Sequence, residues 1–375
     1  MLWARVIALV CRLTQALFGA DELRLMCYVD DPLAVLRGTE EERNIMTAII
    51  ILVWEALGFG LAYTKGQLGS KVTWIGGTLE VHDDSVTAVV KQSIISDICD
   101  DLRKITRSNL VSRKALHSLV GKLNHAAGLI IVMRPYLEPL WAALYKGSRT
   151  KSQIWTKQIL LELQWFQALF NDGNTPVIRI FTLTAFLRTG TNIQIGTDAS
   201  PSGLGGWLSV GGKLTHFFAC PVTADDHRIL GVKGKDGQQV WECLAILVAI
   251  RLWAHLWAKD RIVLNLVGDN IGALTMLVKL RPPTRNPAMG IIARELALEL
   301  AQLSFQPDAT HTPGLSHVIA DVLSRVHTPD STGTVNSELH PALSEAQCCE
   351  VPRRNEDWYL AYRARKARRM KWARR

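Results

Sequence analysis

The stretch from Gly190 to Arg325 constrains the fold most, because few architectures accept its order of apolar runs. It opens with NIQIGTDAS, an apolar run that ends in a carboxylate, and LGGWLSV and KLTHFFA follow around a Gly211-Gly212 turn. The stretch from Val240 to Ala258 predicts a long helix, RIVLNLV a buried strand, and Asn270 to Lys279 a second helix. After Pro282-Pro283 come an expected helix from Pro287 to Leu303, a strand around Ser304 to Thr310 and a terminal helix from His317 to Val326. Three strands on short turns, followed by alternating helices and strands, predict an α/β unit with a mixed sheet.

Four acids stand at the ends of these elements. Asp198 ends the first strand, Glu242 lies at the start of the long helix, Asp269 directly follows RIVLNLV, and Asp321 lies on the final helix. In an open α/β sheet, strand ends and helix starts converge on one edge. Carboxylates suit a hard, octahedral cation, and two-metal phosphodiester hydrolysis needs such an oxygen-rich cluster. Each acid alone reads more simply as a turn or helix-cap residue.

The first half is patterned differently. Leu2, Val6, Leu9, Val10, Leu13 and Leu17 share one face of a helix, so the N-terminus reads as a helix rather than a signal peptide. A short strand follows at Leu25 to Val29, then a long helix from Glu40 to Leu57 stopped by Gly58 and Gly60, then a β-ribbon, VTWIGGTLEV. From Lys91 to Phe170 the pattern is helical, with breaks expected at Asn109, at Arg134-Pro135 and near Gly147. Tyr28-Val29-Asp30-Asp31 sits in a hairpin-like turn, where two aspartates alone would mean only a solvated loop.

The segments around these residues are more specific than the residues. IGTDASPSGLGGWL, VWECLAILVAIRLW, LVGDNIGALTML and HTPGLSHVIADVLSR resemble, in order, the RNase H motifs of retroelement polyproteins. This resemblance implies a ribonuclease H that cuts the RNA strand of RNA–DNA hybrids with two Mg²⁺ ions, Mn²⁺ being able to substitute. Asp198 would bridge the metals, Glu242 and Asp269 would complete the first site, and Asp321 would help hold the second. His311, in a loop before the last helix, would assist product release or proton transfer. His317 stands where the family usually has Asn, a position that orients the loop. Gly203, Gly205 and Gly206 would either let a strand approach the hybrid or serve a turn that needs positive φ.

YVDD, Lys65, the WIGG of Trp74 to Gly77 and KALHSLVGKLNHA resemble, also in order, the YxDD box, the motif with its Lys, the primer grip and the thumb of reverse transcriptases. The nearest likeness is to gypsy-type or DIRS-like retroelements. It implies Asp30 as a metal-binding carboxylate, Asp31 as a secondary one, Tyr28 near the primer terminus and Lys65 near the incoming phosphates. The family's other palm Asp lies well upstream of the YxDD box, and Asp21 is too close to serve. The expectation is that this half is inactive alone and that its partner is the missing N-terminal part of the polymerase.

The expected organisation is α/β: an α+β palm remnant at 1–85 and a helical thumb and connection at 86–187, followed by an RNase H-like mixed-sheet domain at 188–328. A Ser-, Thr- and Pro-rich linker at 329–349 and a basic tail at 350–375 complete it. The net charge is +9, but residues from Glu350 to Arg375 hold ten Lys or Arg against three acids, so most of the excess is in the tail. There Arg363, Arg365, Lys366, Arg368 and Arg369 could contact phosphates, act as a nuclear-import signal, or be merely solvated. Seven Cys without a CxxC pair indicate neither disulfide framework nor zinc site, so an intracellular setting, cytoplasm or nucleus, is expected rather than secretion. No run approaches a membrane span in length, and no small-molecule cofactor or membrane partner is expected. The competing reading is a folded, catalytically dead nucleic-acid-binding remnant of a decayed element.

Overall fold

The computed structural model describes residues 2–19, 21–145, 152–170, 177–183, 190–232, 237–257, 262–283, 286–301, 307–329, 331 and 340–362. The protein is a mixed α/β chain that divides into two compact units, Met1–His82 with Thr87–Lys91 and Asp83–Val86 with Gln92–Arg375.

In the first unit, helix α1 (Leu2–Gln15) and the hairpin β1 (Leu23–Tyr28) and β2 (Asp31–Leu36) are followed by helix α2 (Glu40–Ala56). Thr39 starts α2 with a capping box: its hydroxyl accepts from the Glu42 amide while the Glu42 carboxylate accepts from the Thr39 amide. Val10, Leu23, Leu25 and Trp54 form the core between helices and hairpin. Inside it, Trp54 Nε1 donates to the buried Thr14 hydroxyl at 3.0 Å, so the indole is not left unpaired. Strands β3 (Lys71–Trp74), β4 (Gly77–Val81) and β5 (Ser85–Val90) follow, with β3 and β4 turning through Ile75 and Gly76, both at positive φ.

The second unit begins with a helical region: α3 (Gln92–Thr106), strand β6 (Leu110–Ser112), α4 (Arg113–Leu129) and α5 (Arg134–Tyr145), then β7 (Gln153–Trp155), α6 (Leu160–Phe170) and strand β8 (Ile178–Thr182). The break expected at Arg134-Pro135 is a correction: a 3-10 turn at Ile131–Met133 interrupts the helices, and Pro135 sits in the first turn of α5, where it lacks only an amide that would be unpaired anyway. Gly147 lies outside the described residues. Strand β7 pairs antiparallel with β6, giving this region a small β element that its helical pattern did not announce.

A six-stranded sheet follows. Its strands are β9 (Thr191–Ala199), β10 (Gly203–Val210), β11 (Lys213–Pro221), β12 (Ile262–Gly268), β13 (Asp308–His311) and β14 (Gln347–Cys348), in the order β13-β12-β9-β10-β11-β14. β9, β10 and β11 are antiparallel, while β12 joins β9, β13 joins β12 and β14 joins β11 in parallel. This is the strand series the RNase H resemblance implies, with one short strand added at the β11 edge. The helices are α7 (Ala224–Leu230), α8 (Gln238–Trp257), α9 (Ile271–Lys279), α10 (Pro287–Leu300) and α11 (Val318–Arg325). Residues 302–306, where the last strand was expected to begin, lie outside the described residues.

Neighbouring phenylalanines show how the sheet is covered, since consecutive strand residues point to opposite faces. Phe218 packs on Trp253 of α8, while Phe217 packs with Leu323 of α11. α8 is apolar all round because it is enclosed: Val240, Trp241 and Cys243 to Ile250 are all almost fully buried between the sheet and helices α9 and α10. By length and composition Gln238–Leu256 could cross a membrane, which corrects the expectation that no run approaches that length, but it is a mostly buried core helix.

Gly203 and Gly205 explain how closely α11 lies on the other face. A Cβ on Gly203 would meet the Ser324 carbonyl oxygen at 2.5 Å, and one on Gly205 would meet the Leu323 carbonyl carbon at 2.6 Å. Neither these two nor Gly206 has a positive φ, so the turn reading is corrected, and the room left by the absent side chains of Gly203 and Gly205 is filled by a helix of the same chain.

The C-terminal segment is a further correction. Residues 340–362, expected to fall in the linker and the basic tail, are folded onto the sheet domain. β14 lies along β11, and Arg354 and Tyr359 are 2% and 0% exposed. Residues 332–339 and the cationic stretch with Arg363, Arg365, Lys366, Arg368 and Arg369 lie outside the described residues.

Candidate active site

Asp198 is the penultimate residue of β9, Glu242 lies in the first turns of α8, and Asp269 is the first residue past β12. One carboxylate oxygen from each lies within 4.8 Å of the others. The parallel β9–β12 pairing delivers two of them to the same sheet end, and α8 starts beside that end. Asp198 and Glu242 are buried and Asp269 is the most open of the three.

Asp269 is not needed as a helix cap. The next residue, Asn270, caps α9 by accepting from the Ala273 amide at 3.0 Å, which leaves the Asp269 carboxylate free to face its neighbours. Gly314 closes the opposite side, where a Cβ would lie 3.3 Å from Asp269 Oδ2. Asp198 serves no turn either: Ser324 Oγ, on α11, donates to its Oδ2 at 2.6 Å. Gln238, one turn before Glu242, donates through Nε2 to Glu242 Oε1 at 3.0 Å and also to the Ala199 carbonyl.

The charges are poorly compensated. Burial pushes the Glu242 carboxyl up to about 9, the Asp198 charge adds to it, and the Gln238 amide partly opposes. Burial also raises Asp198, against the Ser324 hydrogen bond, with the charges of Asp269 and Asp321 adding. Among the described residues none of the three forms an ion pair. Two buried carboxylates and a more open one within reach of each other are a donor set suited to a hard divalent cation, and they fit Mg²⁺ or Mn²⁺ by oxygen chemistry.

The other expected residues are spread around this centre. Asp321, in the first turn of α11, lies outside the 4.8 Å group, and its Oδ1 accepts from Arg325 at 2.6 and 2.8 Å. His311 is the exposed last residue of β13, level with Gly268, and so belongs to a strand rather than the loop expected for it. His317 is buried and its Nε2 donates to the Thr197 carbonyl at 2.9 Å, tying the start of α11 to the strand that carries Asp198. Ser324 and Gln238 were not singled out from the sequence. Their signal was helical spacing: Ser324 lies three residues from Asp321 and Gln238 four from Glu242, each on its neighbour's face.

The YVDD box is a tight hairpin in the first unit. Tyr28 pairs with Asp31 across a two-residue turn of Val29 and Asp30, and all four are exposed. Val29 has φ 61°, an uncommon conformation for a β-branched residue. Its carbonyl accepts from Trp3 Nε1 at 2.8 Å, and Trp74 of the WIGG ribbon donates to the Asp31 carbonyl at 3.0 Å. Lys65 is exposed in a 3-10 turn. Among the described residues no group of three potential ligands forms at Asp30 and Asp31.

No protein-family model matches this chain, and no curated protein matches it. Solved structures are similar at low identity. RNase H1 from the halophilic archaeon Halobacterium salinarum NRC-1 is 18% identical, with 38% of this chain and 98% of that one covered and a TM-score of 0.28. The foamy viral protease-reverse transcriptase in complex with RNA/DNA hybrid is 16% identical, with 89% and 39% covered and a TM-score of 0.36. The same viral protein with dsDNA gives 16% identity, 82% and 58% coverage and a TM-score of 0.32. This chain spans under two thirds of the viral proteins' length.

Proposed function

We propose that the sheet domain hydrolyses the RNA strand of RNA–DNA hybrids and belongs to a retroelement-derived reverse transcriptase. The observation that carries this reading is the meeting of Asp198, Glu242 and Asp269 within 4.8 Å at one end of a mixed sheet. Two Mg²⁺ ions, with Mn²⁺ able to substitute, would activate a water and stabilise the leaving oxygen. The chain's part is to present Asp198, Glu242 and Asp269 as oxygen donors, with Asp321 as a fourth once Arg325 lets it go. His311, exposed on the adjacent strand, is available to carry a proton or to help product leave.

Presenting the chain with labelled RNA–DNA hybrid, single-stranded RNA and double-stranded RNA in Mg²⁺ tests the substrate class. Cutting confined to the RNA of the hybrid is expected. Equal cutting of single-stranded RNA would point to a different nuclease, and no cutting of any substrate would leave the catalytically dead remnant.

The YVDD unit we read as a palm remnant without polymerase activity of its own, Asp21 lying too close to Asp30 to act as the second palm aspartate that the resemblance calls for. Primer extension on an RNA template tests this, and robust extension refutes it. Arg363, Arg365, Lys366, Arg368 and Arg369 we read as phosphate contacts. Removing residues 363–375 should flatten the salt dependence of hybrid binding, and an unchanged slope would exclude that role.

A further inference from the structure

We infer that Ser324 is a positioning residue for Asp198, holding that carboxylate in the orientation in which it can accept a divalent cation. This rests on the reading of Asp198, Glu242 and Asp269 as metal ligands.

Three observations support it. Ser324 is fully buried, and its hydroxyl donates to Asp198 Oδ2 at 2.6 Å, a charge-assisted contact of the short, strong kind. The helix that carries it is pressed against β10 where Gly203 and Gly205 leave no side chain, which brings its last turn within reach of β9. Ser200, in the turn after β9, also reaches this helix, its hydroxyl donating to the Ser324 carbonyl at 2.8 Å, but it does not touch Asp198.

The consequence is geometric. A carboxylate on a strand end can swing about its χ angles, and ordering it on metal binding costs conformational entropy. A donor fixed on one oxygen removes that freedom beforehand and leaves the rest of the group for the metal. Partners that hold metal ligands in this way change metal affinity by about 10–100-fold when removed. A purely packing role for Ser324 would lower stability and leave the affinity of the folded protein alone.

The test is calorimetric titration of Mn²⁺ and Mg²⁺ alone into the full chain, comparing wild type, Ser324→Ala and Ser200→Ala, with thermal melts of each. Ser324→Ala should bind metal about tenfold more weakly or worse, while Ser200→Ala, which loses a buried hydroxyl that does not touch Asp198, should keep wild-type affinity. Equal affinity in Ser324→Ala overturns the inference, and so does an equal loss in both variants, which would mean general loosening of α11. If Ser324→Ala does not fold, Ser324→Cys, close in volume but a weak donor, should show the same loss, and wild-type affinity in it overturns the inference. A wild type that binds neither metal at millimolar concentration overturns the tether together with the metal site. Metal binding that weakens as expected without any hybrid cleavage leaves the tether standing and rejects only the nuclease reading.

Discussion

Arg354 and Asp226, 128 residues apart, form an ion pair that is almost completely buried, with Arg354 Nη2 2.8 Å from Asp226 Oδ2. The same carboxylate accepts from the Tyr359 hydroxyl at 2.6 Å and from the Thr223 amide at 2.8 Å, capping α7. Arg251 adds a second clasp, donating to the Trp358 carbonyl at 2.7 Å while pairing with Glu295 and Glu299. The C-terminal segment is therefore part of the sheet domain.

Removing one partner of such a pair leaves a buried charge without compensation. Arg354→Ala should destabilise the protein by about 3–5 kcal/mol, read by urea or thermal unfolding. Conversely, a chain cut after residue 328 should be poorly folded even though it retains every proposed catalytic residue. A truncated chain as stable as the full one would contradict the docking.

Glu242 gives a pH dependence. Its folded-state value of about 9 lies above the ordinary carboxyl value of 4.5, so in the metal-free protein it destabilises the fold progressively as pH rises from about 4.5 towards about 9. A cation must displace the bound proton, so metal binding should release about one proton and strengthen about tenfold per pH unit between about pH 6 and about pH 8. Calorimetry in buffers of different ionisation enthalpy measures both. Affinity independent of pH would rule out the burial assigned to Glu242.

Gly205→Ala should drive a methyl into the backbone of α11 at Leu323 and Ser324. The overpacking should cost about 1–3 kcal/mol, and the displaced helix should weaken metal binding as well. Unfolding curves and metal titration check this, and a variant neutral in both would show that α11 can move away freely.

Val29 predicts a gain. Its φ of 61° places a β-branched residue in the left-handed region, which costs roughly 1–2 kcal/mol relative to a residue at ease there. Val29→Asn should therefore stabilise the first unit by about 1 kcal/mol, measured by urea unfolding; a loss of stability would mean that the exposed Val29 side chain makes contacts that outweigh the strain.

The sequence carried some of these relationships and hid others for physical reasons. Asp198, Glu242 and Asp269 were legible because strand ends and helix starts, which periodicity locates, converge by the geometry of the sheet. The Arg354–Asp226 pair was not, since no local pattern couples residues 128 positions apart and a cationic C-terminal stretch reads as a basic tail whether or not its first residues dock. Gly203 and Gly205 looked like turn or ligand-facing glycines because sequence does not show which element will press against a strand. Ser324 lies inside HTPGLSHVIADVLSR, but its partner Asp198 is visible only with α11 placed over β9.

Whether Asp198, Glu242 and Asp269 form a working nuclease centre is read from cleavage of a labelled RNA–DNA hybrid in Mg²⁺ by wild type and by Asp198→Asn of equal thermal stability. Mg²⁺-dependent cutting of the RNA strand by wild type, lost in Asp198→Asn, is expected. No cutting by wild type, or equal cutting by both, would contradict it.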